Sequence, residues 1–584
     1  MKVKILAVAA VAAGLALADS PVKGTMGQPL LVCGAGRAFL VAPDGRVAWN
    51  KSGCGNIHRV WKHGEWVYYS NGDLRRIDIV SGKDELLYKP CEKEGVFGFE
   101  VLKNGNVVVA ENGTGFIAEL KAGTWEPVVR FKGDPTAPDG TVPGGGHNRY
   151  RMIRKTDKGT YLVCCSSANF VREYDRTGKL VWEQKVPAKL TFDCLRRANG
   201  NTLVSHLDAV TEYSPDHQVV WQFTCAEAPE LKLANLCGIW EQKNGNLVVG
   251  TYANGVEDGS RTTAFEVTRG KKVVWSYAAA GKRFSMMTAF PVAPSQWPVA
   301  CVSVPPQDEA KMEEIVGARL SAAPRKPRKV LMVARAFGYS HNDALAYGRR
   351  AFEIAAGKTG AFALGFTEDV SVLGDAAALA RYDAVVINNA TMISVRRFPA
   401  IEKALVAYVK GGKGLCLIHA AVDSFYDSPV VADMNGGLFW GHPWMAGGTW
   451  RFRNEDPANP LTAMFEGKAT FASSDEIYMH ASPPYSREKD RVLISLDLSD
   501  GATAAAADRW AKSRGADKLR ADRDFAVSWT RRYGAGRVFY TSFGHDKRAF
   551  IDKPRLLHML AGLQYCLGDL DCPDSPSSKR RNVQ

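Results

Sequence analysis

The strongest constraint on this chain is a short unit that recurs through its first half. Asn104-Gly105-Asn106, Asn199-Gly200-Asn201 and Asn244-Gly245-Asn246 lead into Val107-Val108-Val109, Thr202-Leu203-Val204 and Leu247-Val248-Val249. Lys158-Gly159-Thr160 before Tyr161-Leu162-Val163 is a variant of the unit, and Asn71-Gly72-Asp73 a looser one. Asn-Gly favours a tight hairpin, because both residues tolerate the positive φ such turns require. A second element follows each turn: Glu173-Tyr174 with Val181-Trp182, Glu212-Tyr213 with Val220-Trp221, and Glu266-Val267 with Val274-Trp275. The whole unit repeats about every 40–55 residues, the period of four-stranded propeller blades. A β-sandwich needs no such period. Residues 28–302 are therefore expected to form an all-β propeller of six or seven blades. His58, Phe99, Arg149 and Phe192 precede the turns at similar places, as channel-facing residues would, and His147 and Arg149 are the polar candidates there.

Residues 1–18 have the layout of a secretory leader: Lys2 and Lys4, an apolar run from Ile5 to Leu17, and Ala16-Leu17-Ala18 before Asp19. The apolar run is too short to span a bilayer, and no comparable run follows, so no membrane span is expected. A periplasmic or extracellular location follows from this reading. The formal charge is +14, spread along the chain apart from clusters at 325–329 and 579–581. A solvated basic surface or attraction to anionic glycans both fit that distribution. Nucleic acid is not expected as a partner, since no recognisable binding motif is present. Twelve Cys in 584 residues do not make a disulfide scaffold, and their pairing is not readable. Cys164 and Cys165 are neighbours in one strand, so their side chains should face opposite ways.

Residues 303–328 break the propeller pattern and read as a linker containing one helix from Asp308 to Leu320. From Lys329 strands alternate with helices. Val330–Val333, Tyr382–Ile387 and Leu415–Ile418 are buried-strand patterns, and Ile401, Ala404, Leu405 and Tyr408 share a helical face. This order implies parallel β/α winding through residue 568, followed by a disordered tail, 569–584. Polar residues gather just past strands, where ligands bind in open α/β sheets. The runs are Gly338–Asp343, His419–Phe425, Gly441–Trp444, Asp475–Tyr478 and Gly544–Asp546.

Several of these runs carry a resemblance. "IHAAVDSFYD", "GGLFWGHPW", "NEDPANPLT", "SDEIY" and "VSWTRRYGAGRVFYTSFGHD" resemble ThuA-like (trehalose utilisation-like) domains in order and spacing. The resemblance covers about 329–568 and implies an α/β flavodoxin-like three-layer fold of the class I glutamine amidotransferase-like type. It also implies a link to trehalose, other disaccharides or keto-sugars, more than a particular reaction. The propeller's Gly178-Lys179-Leu180-Val181-Trp182 strand resembles quinoprotein-like or arylsulfotransferase-like propellers, an architectural likeness that names no cofactor.

Imidazoles and carboxylates suit a divalent metal such as zinc, and His341, His419, His442, Glu476 and His545 are the candidate ligands. His419, Asp423, His545 and Asp546 are the candidate catalytic acids and bases, although His545-Asp546 also suits a helix cap. Tyr339, Phe425, Trp444 and Tyr478 are candidates for stacking on a sugar ring. Gly414-Leu415-Cys416-Leu417-Ile418-His419 is similar to the nucleophile motif G-x-C-x-G, but Ile418 replaces the glycine the sharp turn needs. The expected function is a carbohydrate-active protein using this His/carboxylate cluster for hydrolysis or acid–base chemistry. The propeller would bind substrate, a glycoconjugate or a protein partner. A non-catalytic glycan- or protein-binding module, and a Cys416-dependent hydrolase or amidase, are the alternatives.

Overall fold

A computed structural model describes residues 22–34, 36–90, 95–137, 139–144, 148–188, 190–252, 261–278, 288–292 and 298–580. The expected leader and His147 lie outside these residues. The chain divides into two compact units, Met1–Val292 and Ala293–Gln584.

The first unit is a propeller of six blades. Its first blade joins Leu30–Gly34, Arg37–Val41 and Val47–Lys51 to Thr288–Pro291 from the end of the unit, which closes the ring. Val22–Gly24 adds an edge strand to the last blade by pairing with Val273–Tyr277. The repeated residues act as staples within and between blades. Asn104, Asn199 and Asn244 each accept a bond at 3.0 Å from the backbone N–H two residues on. The third-position Asn reaches across to the repeated Glu: Asn106 to Glu119 at 2.9 Å, Asn201 to Glu212 at 2.7 Å, Asn246 to Glu266 at 2.6 Å. Three of the repeated glutamates also take a cation from the next blade, Lys155 on Glu119, Arg196 on Glu173 and Arg269 on Glu212. The blade tryptophans complete the staple. Trp182 and Trp221 donate to the Pro215 and Arg269 carbonyls of the following blade.

One turn differs from the sequence expectation. In the three Asn-Gly-Asn turns the glycines Gly105, Gly200 and Gly245 take positive φ, of +83°, +88° and +83°, and the preceding asparagines do not. The Gly105 N–H bonds to the Leu102 carbonyl, and the Leu102 N–H to the Asn106 carbonyl. This is a four-residue turn closed by a glycine bulge rather than a two-residue hairpin. The asparagine side chain caps the turn instead of bending it. Cys164 and Cys165 do face opposite sides of their strand, each into a different core cluster.

The second unit is a three-layer α/β domain. Its strands are β1 (Lys329–Val333), β2 (Ala363–Thr367), β3 (Ala384–Asn388), β4 (Gly414–Ile418), β5 (Phe439–Trp444), β6 (Trp450–Asn454), β7 (Thr470–Ser473), β8 (Ile477–His480), β9 (Asp490–Leu496), β10 (Ala526–Tyr533) and β11 (Gly536–Thr541). The main sheet has the order β2-β1-β3-β4-β11-β10-β9-β6-β7, while β5 and β8 form a separate ribbon. Pairing is parallel from β2 to β11 and antiparallel beyond. Apolar residues on both faces of β1, β3 and β4 explain their unbroken hydrophobic runs. Val330, Met332, Val386 and Ile418 share a core with helices α1 (Pro306–Val316), α2 (Asn342–Thr359) and α5 (Lys553–Leu567). Leu331, Val385 and Leu417 face α3 (Ala400–Lys410) on the opposite side. Helix α4 (Gly501–Arg514) packs beside β5 and β6.

Two segments are more integrated than their polar composition suggests. Within 303–328, Met312 and Val316 of α1 are buried in the domain core, and Tyr347 of α2 donates to Asp308 at 2.7 Å. In the tail, Asp569 pairs with Arg328, Leu570 is buried, and the Ser577 hydroxyl accepts from the Val492 N–H at 2.9 Å. A few apolar residues set among many polar ones, backed by polar anchors, hold both segments, which is why they read as linker and loose end.

Candidate metal centre

Beyond the carboxyl ends of β1, β4 and β11, four of the five expected metal ligands meet. One donor atom each from His341, His419, Glu476 and His545 lies within 4.8 Å of the others. His341 stands at the N-terminal boundary of α2, His419 directly after β4, His545 in the loop after β11, and Glu476 between β7 and β8. Glu476 Oε1 is 3.2 Å from His545 Nδ1 and 3.9 Å from His419 Nε2. The fifth candidate, His442, sits at the edge. Its Nδ1 is 3.6 Å from the other carboxylate oxygen of Glu476, outside the cluster of four.

His419 is held by strain and by one hydrogen bond. Strand β4 turns at once into the 3-10 turn His419–Val422, with His419 at φ +47°. A strained strand-to-helix turn of this kind is where a nucleophile elbow presents its reactive side chain. Here that place belongs to an imidazole. Cys416 lies three residues earlier, fully buried within β4 and packed in the core, which removes it as a nucleophile. His419 Nδ1 lies 2.6 Å from the Ser542 carbonyl. A carbonyl only accepts, so Nδ1 carries the proton and Nε2 turns a lone pair toward the cluster. Buried His419 Nε2 and His341 Nδ1 both lack a hydrogen-bond partner, and His545 Nδ1 meets only the Glu476 carboxylate, at 3.2 Å. Buried polar atoms are nearly always paired, so two in one cluster need an explanation.

Asp475 shapes the centre, and the sequence reading gave it no role. Its buried carboxylate accepts from the N–H groups of Gly544 at 3.0 Å, His545 at 3.3 Å and Glu476 at 2.9 Å. Arg555 of α5 lies 3.3 Å away and supplies the counter-charge. Adjacent acids in Asp475-Glu476 thus divide the work: one clamps the loops, the other enters the cluster. Asn389 (φ +51°) ties the other flank, donating to the Gly544 carbonyl at 3.0 Å.

Burial sets the electrostatics. It pulls the His341 pKa down to about 3, with His545 and His442 adding repulsion. It drives His419 well below the ordinary histidine value, with His341 and His545 again acting in the same sense. For His545 burial acts the same way but is outweighed by Glu476, Asp475 and Asp546, so its pKa rises. Burial likewise lifts the Asp423 carboxyl above its usual range, against the bond from Tyr426 at 2.6 Å and the nearby His442.

The remaining candidates divide between edge and core. Tyr339 is 68% exposed with its ring 4.9 Å from that of His341, and Tyr478 is buried with its ring 4.2 Å from His419. Phe425 and Trp444 are fully buried, and Trp444 donates to the Thr503 carbonyl at 2.9 Å, so neither can stack on a sugar. The exposed aromatics nearby are Tyr426 and Trp440. Asp546 caps the turn Lys547–Ile551 and pairs with Arg548, which occupies its carboxylate.

Fold and centre together define a flavodoxin-like α/β domain with a histidine-rich polar centre at the carboxyl ends of its strands. Residues 329–566 match the ThuA family model, described as trehalose utilisation, so the chain carries a ThuA domain after its propeller. No curated protein matches the sequence. Among solved structures, a protein of unknown function from Bacteroides caccae is 20% identical, covering 45% of this chain and 98% of its own, with a TM-score of 0.40. A ThuA-like protein from Bacteroides uniformis is 21% identical over 42% of this chain and 92% of its own, with a TM-score of 0.32. Virginiamycin B lyase from Staphylococcus aureus is 10% identical over 45% of this chain and 89% of its own, also at 0.32.

Proposed function

We propose that the ThuA domain is a metal-dependent hydrolase acting on a carbohydrate, with a divalent ion such as zinc held by His341, His419, Glu476 and His545. One observation supports this above all: four donors converge, and two are buried imidazole nitrogens with no partner. In a tetrahedral zinc site with bonds of ~2.0–2.1 Å, donors stand about 3.3 Å apart; the separations of 3.2 and 3.9 Å are near that, and the whole set, within 4.8 Å, would draw in on binding. The Nδ1–H of His419 on a backbone carbonyl is the usual way a protein orients a ligand imidazole. When bound, such an ion would lower the pKa of a water or polarise a substrate oxygen.

The chain's own residues supply the rest. Asp423, whose carboxyl burial lifts above its usual range and which accepts a bond from Tyr426, suits a proton-transfer role. Tyr339, Tyr426 and Trp440 expose ring faces on which a sugar could stack. The carbohydrate assignment rests on these aromatics and on the family description. Export through residues 1–18 belongs to the same proposal, with the mature chain starting at Asp19.

Elemental analysis of the purified full chain, with turnover assays on disaccharides and keto-disaccharides, tests the reading. About one equivalent of metal, lost together with turnover in His419→Ala and His341→Ala, is expected. Metal-free protein that gains no activity from added zinc or manganese would sink it. Glycan binding without turnover, unchanged in both variants, would identify a binding module instead. N-terminal sequencing of cell-fractionated protein tests export.

A further inference from the structure

The centre of the propeller holds a buried cation with no counter-ion among the described residues. Four inner strands, Val96–Val101, Tyr150–Lys155, Thr191–Arg196 and Leu236–Glu241, share a register shift at the same point. Bulges of this kind re-aim side chains. Here they bring Phe97, Arg151, Phe192 and Cys237 to equivalent positions around the channel, and His58 joins them from the second blade. The Arg151 guanidinium lies over the Phe192 ring at 4.9 Å, and its Nη1 is 3.3 Å from His58 Nδ1. His58 Nε2 is 3.0 Å from Asn56 Oδ1, and the His58 ring is 4.9 Å from Phe97. An Arg N–H only donates, so His58 Nδ1 accepts from Arg151 while its Nε2 meets Asn56. The sequence pattern points to Arg149 for this place, but Arg149 instead donates to the carbonyls of Asn112, Gly113 and Pro143.

Charges in the adjacent layer balance without Arg151. Asp193 takes Arg59 at 2.8 Å and Arg154 at 2.9 Å, as well as the Ile239 N–H at 3.1 Å. Glu100 accepts from the Lys155 N–H at 2.6 Å and lies in the field of Arg154. Two cations therefore face two carboxylates. Arg151 is 7% exposed, and its Nε has no partner. Burial lowers its pKa to about 10, and only Cys237 and Tyr252 act against that fall. A buried guanidinium that meets no carboxylate among the described residues costs several kcal/mol, which His58 and the Phe192 ring offset only in part.

We propose that Arg151, with His58, Phe97 and Phe192, forms a binding site for the carboxylate of a small organic acid in the propeller channel. The guanidinium lies over Phe192 with Nη1 on His58, and its unpartnered Nε leaves an N–H edge for a planar, two-pronged acceptor. A single cation between two apolar rings matches a monoanion with an apolar or ring-shaped body, and is a poor match for a doubly charged phosphate.

Calorimetric titration of the full chain with benzoate, glucuronate and inorganic phosphate at constant ionic strength tests this. Benzoate or glucuronate should bind, Arg151→Gln should weaken that binding at least tenfold, and His419→Ala should leave it unchanged. The ligand-free Arg151→Gln protein should melt at or above the wild-type temperature. Lack of binding by both carboxylates, or equal binding by Arg151→Gln, overturns the site. Tighter binding of phosphate overturns the carboxylate assignment, and loss of binding in His419→Ala overturns the location. An Arg151→Gln chain that fails to fold makes Arg151 structural and overturns the proposal too.

Discussion

His419 shows how much a single position can depend on its backbone. Its φ of +47° turns the imidazole off the end of β4, and the Ser542 carbonyl then sets which nitrogen faces the cluster. Gly544 makes that geometry possible. Its φ is +124°, and a Cβ there would sit 2.9 Å from Ile418 Cγ2 and 3.5 Å from His419 Cβ. Gly544→Ala should therefore destabilise the domain by about 1–3 kcal/mol and weaken zinc binding at least tenfold, checked by thermal melting and metal competition. Asp475→Asn should leave the fold intact but lower zinc affinity by roughly tenfold to a hundredfold, because it loosens the loop carrying His545. Unchanged affinity in that variant would reduce Asp475 to a stabilising residue. The four residues that converge were legible as polar candidates because a His or Glu in a run beyond a strand end is an informative place. Asp475 was not, since a clamp and a ligand look alike in Asp475-Glu476 until the hydrogen bonds are seen.

At the scale of elements, the propeller repeat is a statement about blade-to-blade contact. Glu212 is buried between Asn201 of its own blade and the cations Arg197 and Arg269. Glu212→Ala leaves Arg269 without its partner, while Arg197 keeps Glu241, and should cost about 3 kcal/mol, read by chemical denaturation. The last helix carries a different device. His558 on α5 is fully buried, bonded to the Leu461 carbonyl at 2.7 Å and the Ser528 hydroxyl at 2.8 Å, and burial lowers its pKa to about 4. His480 of β8 is similarly depressed by burial, to about 3, with Arg520 adding to the effect. Both are depressed below the unfolded value of roughly 6.5, so the unfolded chain binds the extra protons. The stability they contribute is complete above pH ~6.5 and is lost as pH falls toward the folded values, by up to about 1.4 kcal/mol per unit for each group. Melting temperature should thus drop from pH 7.5 to 5, and less steeply in His558→Gln. A flat profile over that range would refute the assignment. The repeat period revealed the blades, but turn type escaped it, because Asn-Gly suits both a two-residue hairpin and a glycine-bulge turn.

For the whole molecule, the boundary between units matters more than the edge of the family match. The match begins at residue 329, yet α1 buries Met312 and Val316 in the same core as Tyr347 and Phe352. A fragment spanning 298–584 should fold and melt cooperatively. One starting at 329 should be less stable by several kcal/mol, since it loses two core side chains and the Asp308–Tyr347 bond. Equal stability of the two fragments, measured by denaturant titration, would show that α1 adds nothing.

Periodicity is local, so the chain's own letters determined the propeller, the parallel α/β winding and the places where polar residues follow strands. Convergence is not local. His341, His419, Glu476 and His545 come from four separate segments, and only the sheet order β1-β3-β4-β11 brings three of those strand ends side by side. The same holds for Trp444 and Phe425, aromatic residues in the right motifs that the tertiary packing spends on the core. It holds again for Arg151, whose lack of a carboxylate partner among the described residues becomes visible only when the inner strands of separate blades close around one channel.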